Sequence, residues 1–129
     1  MKNYEEKKIY LHKKQSERCA ISGRGVAKAF LNYDFGANKI DLHHGCHKTK
    51  WRAKKFYLFI DSLLNLRLCY HSEHLAWPLA CRISDHQAEK YQNFLMSPAH
   101  WKWRIFVNEA RWPDGDEDQN KLLNKWDKL

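Results

Sequence analysis

Apolar and polar residues alternate over one stretch of the chain. Between residues 64 and 69, leucine occupies every second position and asparagine, arginine and cysteine lie between. A period of two residues is typical of a half-buried β-strand. A shorter strand is predicted over 39–44, where the run Lys-Ile-Asp-Leu-His-His ends at Gly45.

Helical patterns lie at both ends of the chain. A charged helix is predicted over 3–18, and two more are predicted over 84–96 and 97–112. Ser84 has a glutamine three positions later, which is the spacing of a capping box. Ser97 is followed by proline, which is favoured at the first helical position. The sequence therefore predicts a small domain with more helix than strand.

Two further segments are less regular. Ser72 can cap a helix that begins with Glu-His-Leu over 73–75, and Pro78 would cut that helix short. The segment 47–61 is basic and aromatic, and its pattern fits either a helix or a strand. With 129 residues the chain suffices for one domain, and the mixture of elements predicts an α+β fold.

The composition narrows the class of protein. No stretch approaches the ~18–20 apolar residues of a membrane span, and no signal peptide is recognisable, so we expect no membrane partner and a cytoplasmic location. The formal net charge is +8, and residues 1–60 carry 14 Lys or Arg against 5 Asp or Glu. A basic half on a folded domain is typical of a protein that binds a polyanion.

The predicted strands carry a cluster of polar residues with regular spacing. The first strand ends in Asp41-Leu42-His43-His44, and Asn65 in the second strand precedes His74 by nine positions. This order resembles the ββα-metal finger of HNH endonucleases, of the stand-alone kind found in phages and mobile elements. The resemblance implies an α+β fold in which a ββα-metal finger core is embedded in a mostly helical small domain. The implied division is a basic N-terminal helix 1–18, a finger core 19–78 with a basic insertion 47–61, a helical extension 79–112 and a polar tail 113–129.

The resemblance implies a role for each residue. His44 would be the general base that activates water, and His43 and His74 would hold a metal ion. Asn65 would bind backbone and fix the loop that carries His44. Asp41 shares a strand face with His43 and is expected to orient it.

General chemistry agrees with these roles. Phosphodiester hydrolysis needs a base for water and a cation beside the developing charge. The unperturbed histidine pKa of about 6.5 leaves the imidazole mostly neutral at working pH. Successive strand residues point to opposite faces, so one of two adjacent histidines can bind metal while the other faces the phosphate.

The metal is predicted to be Mg²⁺ or Mn²⁺, with Zn²⁺ or Ni²⁺ as alternatives. Many family members carry two Cys-x-x-Cys pairs, and this chain has none. Only His43 and His74 are firm ligands, with Asp41 and His71 as further candidates, which leaves room for water and phosphate oxygens. The four cysteines are expected to be reduced thiols, mostly packed inside.

The basic insertion is the predicted DNA contact. Basic groups fix phosphates and an aromatic side chain can stack on an exposed base. Trp51 could instead belong to the core, and both interpretations stay open. DNA is the expected partner, and no small-molecule substrate is expected. The residues assigned to nucleic-acid binding are Lys48, Lys50, Trp51, Arg52, Lys54 and Lys55.

Two other functions compete with a metal-dependent DNA endonuclease or nickase. The chain could be a non-catalytic DNA- or RNA-binding module built on the same finger. It could also be a structural zinc protein, although the ligand spacing is wrong for that. The ligands in this last case would be Cys19, Cys46, Cys69 and His71.

Overall fold

A computed structural model describes residues 2–32, 36, 38–74, 81–115, 121 and 125–126. The α-helices and β-strands in chain order are α1 (Tyr4–Lys14), β1 (Ile40–His44), α2 (Lys50–Lys55), β2 (Leu66–Tyr70), α3 (Asp85–Met96) and α4 (Trp101–Glu109). Short 3₁₀ turns cover Lys28–Asn32, His71–Glu73 and Pro98–His100. The fold is a small α+β domain, as the sequence predicts.

The two predicted strands pair with each other. β1 and β2 are antiparallel, with Ile40 opposite Tyr70 and His44 opposite Leu66. β2 begins at Leu66 rather than at residue 64, because the Asn65 amide bonds to the carbonyl of Ser62 and closes a turn. The predicted alternation therefore holds only from Leu66 onward.

One face of this small sheet forms the centre of the core. Leu66 and Leu68 of β2 are fully buried, as is Ile40 of β1. The leucine at every second position provides this apolar face. The other large side chains that are almost completely buried come from α1, from α3 and α4, and from the turns before β2: Leu11, Phe56, Phe59, Leu63, Leu95 and Phe106.

Helix α1 is shorter and more deeply packed than predicted. It ends at Lys14, because Ser16 and Glu17 adopt left-handed backbone angles with φ of 54° and 60°. Leu11 is buried and Ile9 is about half exposed. Lys7 is only 1% exposed, since its stem lies inside and its ammonium donates to a backbone carbonyl.

The helices after the sheet are partly as predicted. α3 begins after Ser84, whose hydroxyl accepts from the Gln87 amide, and α4 follows the proline turn. The prediction over 84–96 is confirmed, whereas the one over 97–112 is confirmed in part, because α4 covers only Trp101–Glu109. Ser72, however, lies inside the 3₁₀ turn His71–Glu73 and does not cap an α-helix.

The helix half of the predicted finger is not confirmed. The residues that would continue it, 75–80, lie outside the described part of the chain, as does most of the predicted tail 113–129. Among the described helices, none has the length and apolar character needed to cross a membrane.

Candidate active site

The carboxyl end of β1 brings the two adjacent histidines to one cleft. His43 lies opposite Arg67 and His44 opposite Leu66, so their side chains leave the strand on opposite faces. His43 is buried, whereas about a fifth of the His44 side chain is exposed. Both line an open cleft, together with His47, Lys48 and His74.

Asn65 ties down the backbone immediately after His44. The Asn65 side chain is fully buried. Its Oδ1 accepts from the Cys46 amide at 2.7 Å, and its Nδ2 donates to the carbonyls of Cys46 at 3.1 Å and Ile60 at 2.8 Å. The predicted amide-to-backbone contact is confirmed. Its effect on catalysis stays a prediction.

Gly45 is held between two segments. Its amide donates to the Asn65 carbonyl at 2.7 Å, and its own carbonyl accepts from Ile83 at 2.9 Å. A Cβ atom at this position would lie 2.8 Å from the Cys81 carbonyl oxygen and 2.9 Å from the Ile83 side chain. Only glycine allows this approach of backbone to backbone.

His43 and His74 face each other directly. His43 Nδ1 lies 2.7 Å from His74 Nε2. On the other side of the ring, His74 Nδ1 lies 3.1 Å from Asp41 Oδ2, and that oxygen also accepts from His71 Nδ1 at 2.5 Å. The expectation that Asp41 orients His43 is wrong. Asp41 orients His74 and His71, because the chain turns back after β2 and places both beside it.

The environment at this end of the sheet favours a neutral His43. Burial, and then the neighbouring His74 ring, lower the pKa of His43 from 6.5 to about 4. Burial raises the pKa of the Asp41 carboxyl, but hydrogen bonds from His71 and His74 outweigh it and hold the pKa below its ordinary value. An ionised Asp41 accepts the proton on His74 Nδ1. His43 then donates through Nδ1 to the lone pair of His74 Nε2.

The spacing of these two nitrogens can be compared with that of two ligands of one cation. Two nitrogen ligands of one cation, each at about 2.1 Å, lie roughly 3.0–3.4 Å apart. The gap of 2.7 Å between His43 Nδ1 and His74 Nε2 is only a few tenths of an ångström narrower. Within the described part of the chain, no group of three His, Cys, Asp or Glu side chains is arranged to hold a metal ion. The described residues therefore offer two nitrogens that face each other, and His71 contacts Asp41.

His44 contacts a carboxylate that the sequence analysis missed. His44 Nε2 lies 2.8 Å from Asp61 Oδ1, and Lys48 donates to Asp61 Oδ2 at 2.7 Å. The hydrogen bond from His44, followed by the Lys48 ammonium, holds the pKa of the Asp61 carboxyl well below its usual range, although burial acts in the opposite sense. No motif or periodicity marks Asp61, which lies 17 positions from His44 in the chain.

The basic insertion forms a short surface helix. Thr49 caps α2 by accepting from the Arg52 amide, and no residue of α2 is buried. Trp51 is 50% exposed, so it is not a core residue. The Arg52 guanidinium lies 4.7 Å from the centre of the Trp51 ring and forms an ion pair with Asp85. The exposed lysines of α2 are Lys50, Lys54 and Lys55.

Two of the predicted DNA-binding cations thus have carboxylate partners. Lys48 is paired with Asp61, and Arg52 is held by both oxygens of Asp85. Exposed ion pairs contribute only about 0–1 kcal/mol. Arg52 can therefore exchange its carboxylate for a phosphate at low cost, and the three-donor ammonium of Lys48 can contact a phosphate while it keeps Asp61.

Two cysteines of the alternative zinc site have different acidic partners. The Cys19 thiol donates to Glu73, whereas the Cys46 thiol lies beside Asp85. Burial, with help from Asp85, raises the pKa of Cys46 to about 11. A thiol with a raised pKa is a poor source of the thiolate that binds zinc.

Comparison of the chain with family models, with curated proteins and with solved structures gives no match.

Proposed function

We propose that the chain is a metal-dependent DNA endonuclease or nickase of the HNH type. One observation carries the proposal: His43, His44 and His74 line one cleft, and the backbone after His44 is fixed by the buried amide of Asn65. A binding scaffold needs no histidine with a fixed carboxylate partner at the mouth of a cleft. General-base chemistry requires a side chain held in position beside the reacting group, and this arrangement provides one.

In the proposed reaction, His44 takes a proton from water as the water oxygen bonds to phosphorus. The bond from phosphorus to the 3′ oxygen breaks, and the leaving oxygen takes a proton from solvent. Lys48 lines the same cleft, and its ammonium can donate to a phosphate oxygen. Asn65 keeps the His44 loop in place, so no loop rearrangement precedes attack.

His43 and His74 would hold Mg²⁺ or Mn²⁺. When bound, the cation supplies positive charge beside the scissile phosphate. Asp41 fixes the tautomer of His74 and so keeps the lone pair of Nε2 directed at His43. Because His43 Nδ1 donates to His74 in the free protein, the proton of His43 would move from Nδ1 to Nε2 when the cation binds.

The exposed face of α2 would contact DNA. Lys50, Lys54 and Lys55 are exposed on one short helix, and that helix follows the segment that carries His47 and Lys48 of the cleft. Trp51 presents half of its surface to solvent. An indole in such a setting can stack on a base that leaves the helix.

The direct test is cleavage of supercoiled plasmid by the purified protein. We expect nicked or linear product with Mg²⁺ or Mn²⁺ and none with EDTA. A protein that shifts plasmid in a gel but leaves it uncut under every divalent metal would be the non-catalytic DNA-binding module instead.

Substitution of either facing histidine should weaken metal binding. We expect His43→Ala and His74→Ala each to lower Mn²⁺ affinity by more than about tenfold, since loss of outer groups alone costs about 10–100-fold. Calorimetric titration with Mn²⁺ measures this. His71→Ala is the matched control, because His71 shares Asp41 but does not face His43, and it should bind Mn²⁺ like the wild type. The reverse pattern would move the ligand to His71.

Loss of the exposed lysines should change the salt dependence of DNA binding. Each phosphate contact contributes about 0.9 to the slope of log affinity against log salt. Replacing Lys50, Lys54 and Lys55 with alanine should therefore make the slope shallower by about 2–3, as measured by fluorescence anisotropy. A control that replaces three exposed cations elsewhere should leave the slope unchanged: Lys28, Lys90 and Arg111. Equal slopes in both triple variants would exclude α2 as the DNA surface.

A further inference from the structure

Asp61 joins three segments of the chain at the cleft. Its Oδ1 lies 2.8 Å from His44 Nε2, and its Oδ2 accepts from Lys48 Nζ at 2.7 Å. Its backbone carbonyl accepts from the ammonium of Lys7 at 2.7 Å. The Asp61 side chain is 27% exposed, and all three of these contacts restrict its position.

The contact with His44 determines which nitrogen can act as a base. A carboxylate is only an acceptor, so the proton of a neutral His44 must lie on Nε2. The lone pair is then on Nδ1. An imidazole without this contact would divide its proton between two nitrogens and could rotate about its side-chain bonds.

We propose that Asp61 is a positioning residue for His44. This inference rests on the proposed nuclease function and assigns Nδ1 of His44 as the atom that accepts the proton from water. Asp61 fixes the tautomer and the ring orientation, and its negative charge stabilises the imidazolium that forms when the water oxygen bonds to phosphorus. The Lys48 ammonium keeps that carboxylate in place.

A purely structural role for Asp61 predicts different behaviour. If Asp61 only balanced the charge of Lys48 and accepted from Lys7, its loss would lower thermal stability and leave the tautomer of His44 unchanged. A positioning role predicts a slower chemical step without weaker DNA binding. Neutralising Asp61 removes a negative charge beside the cleft, so affinity for DNA should stay the same or rise.

The experiment uses the full chain and two variants, Asp61→Asn and Asp61→Ala. Asp61→Asn keeps the shape and the backbone carbonyl that Lys7 contacts, and melting curves establish that each variant is folded. Asp114→Asn is the matched control, because Asp114 pairs with an exposed lysine away from the cleft. Long-range ¹H–¹⁵N spectra of the histidine rings at about pH 8, well above the ordinary pKa of 6.5, report the tautomer of His44. Plasmid cleavage gives kcat and KM separately.

We expect His44 to carry its proton on Nε2 in the wild type and in Asp114→Asn, and to lose that preference in Asp61→Ala. We expect kcat to fall by about 10²–10⁴-fold in both Asp61 variants, with KM unchanged or lower. Cleavage by folded Asp61→Ala within about threefold of the wild type would overturn the proposal. So would a wild-type spectrum with the proton on Nδ1. A wild type that cuts no DNA overturns the nuclease proposal instead, and the spectra then decide the pairing of Asp61 with His44 by themselves.

Discussion

Replacing His44 with alanine should abolish cleavage and leave DNA affinity nearly intact. Removal of a general base costs about 10²–10⁴-fold in rate, whereas binding depends on phosphate contacts distributed over the surface. Single-turnover cleavage of labelled DNA measures the first quantity, and fluorescence anisotropy measures the second. The His44 side chain contacts the Asp61 carboxylate, and alanine keeps the backbone pairing of His44 with Leu66, so the variant should remain folded.

Two controls make the result specific. His86→Ala removes an exposed histidine from α3 and should cut at the wild-type rate. Added imidazole should restore part of the activity of His44→Ala, because a free base can occupy the vacated space. If His44→Ala cuts at a rate close to that of the wild type under the same metal and pH, His44 is not the base.

The second large effect is expected at Asn65. Asn65→Ala would leave the amide and carbonyl of Cys46 and the carbonyl of Ile60 without their partner. A buried backbone group left unsatisfied costs about 1–3 kcal/mol. We therefore expect the free energy of unfolding to fall by about 3 kcal/mol or more, as measured by urea denaturation. Cleavage by the folded fraction should fall by about 10²-fold, because the His44 loop is displaced.

Asn108 provides the matched comparison for Asn65. Its amide also donates to two backbone carbonyls, those of Leu58 and Arg104, but it does not contact the loop after His44. Asn108→Ala should therefore lower stability and leave the rate per folded molecule unchanged. Equal losses of rate in both variants would indicate a general effect of destabilisation and not a role of Asn65 in fixing the loop.

Local patterns in the sequence predicted the helices and strands. Tertiary packing determined which of their side chains are buried. Alternating leucines predicted β2 and the capping box predicted α3, because strand period and cap chemistry are local properties. The sequence could not predict that Lys7 lies inside the domain. Its burial depends on a carbonyl acceptor at Asp61, 54 positions away.

In the candidate site, too, some contacts could be predicted from the sequence and others could not. The backbone contact of Asn65 was predicted from the resemblance to the ββα-metal finger. The contact of Asp41 was predicted with the wrong histidine. A shared strand face does not reveal that the chain turns back after β2 and places His74 beside Asp41. No sequence pattern identifies Asp61, because its contact with His44 depends on the turns between α2 and β2.

The contacts of Gly45 and Asp61 determine which residues a graft of this site into another protein would have to include. Residues 38–74 contain His43, His44 and His74, yet the backbone beside His44 rests on Ile83 and the backbone of Asp61 is held by Lys7. A graft of 38–74 into another scaffold would carry the histidines and lose both of these supports. A portable unit would therefore have to include α1 and Ile83 as well as 38–74, which makes the site a property of the domain and not of a detachable motif.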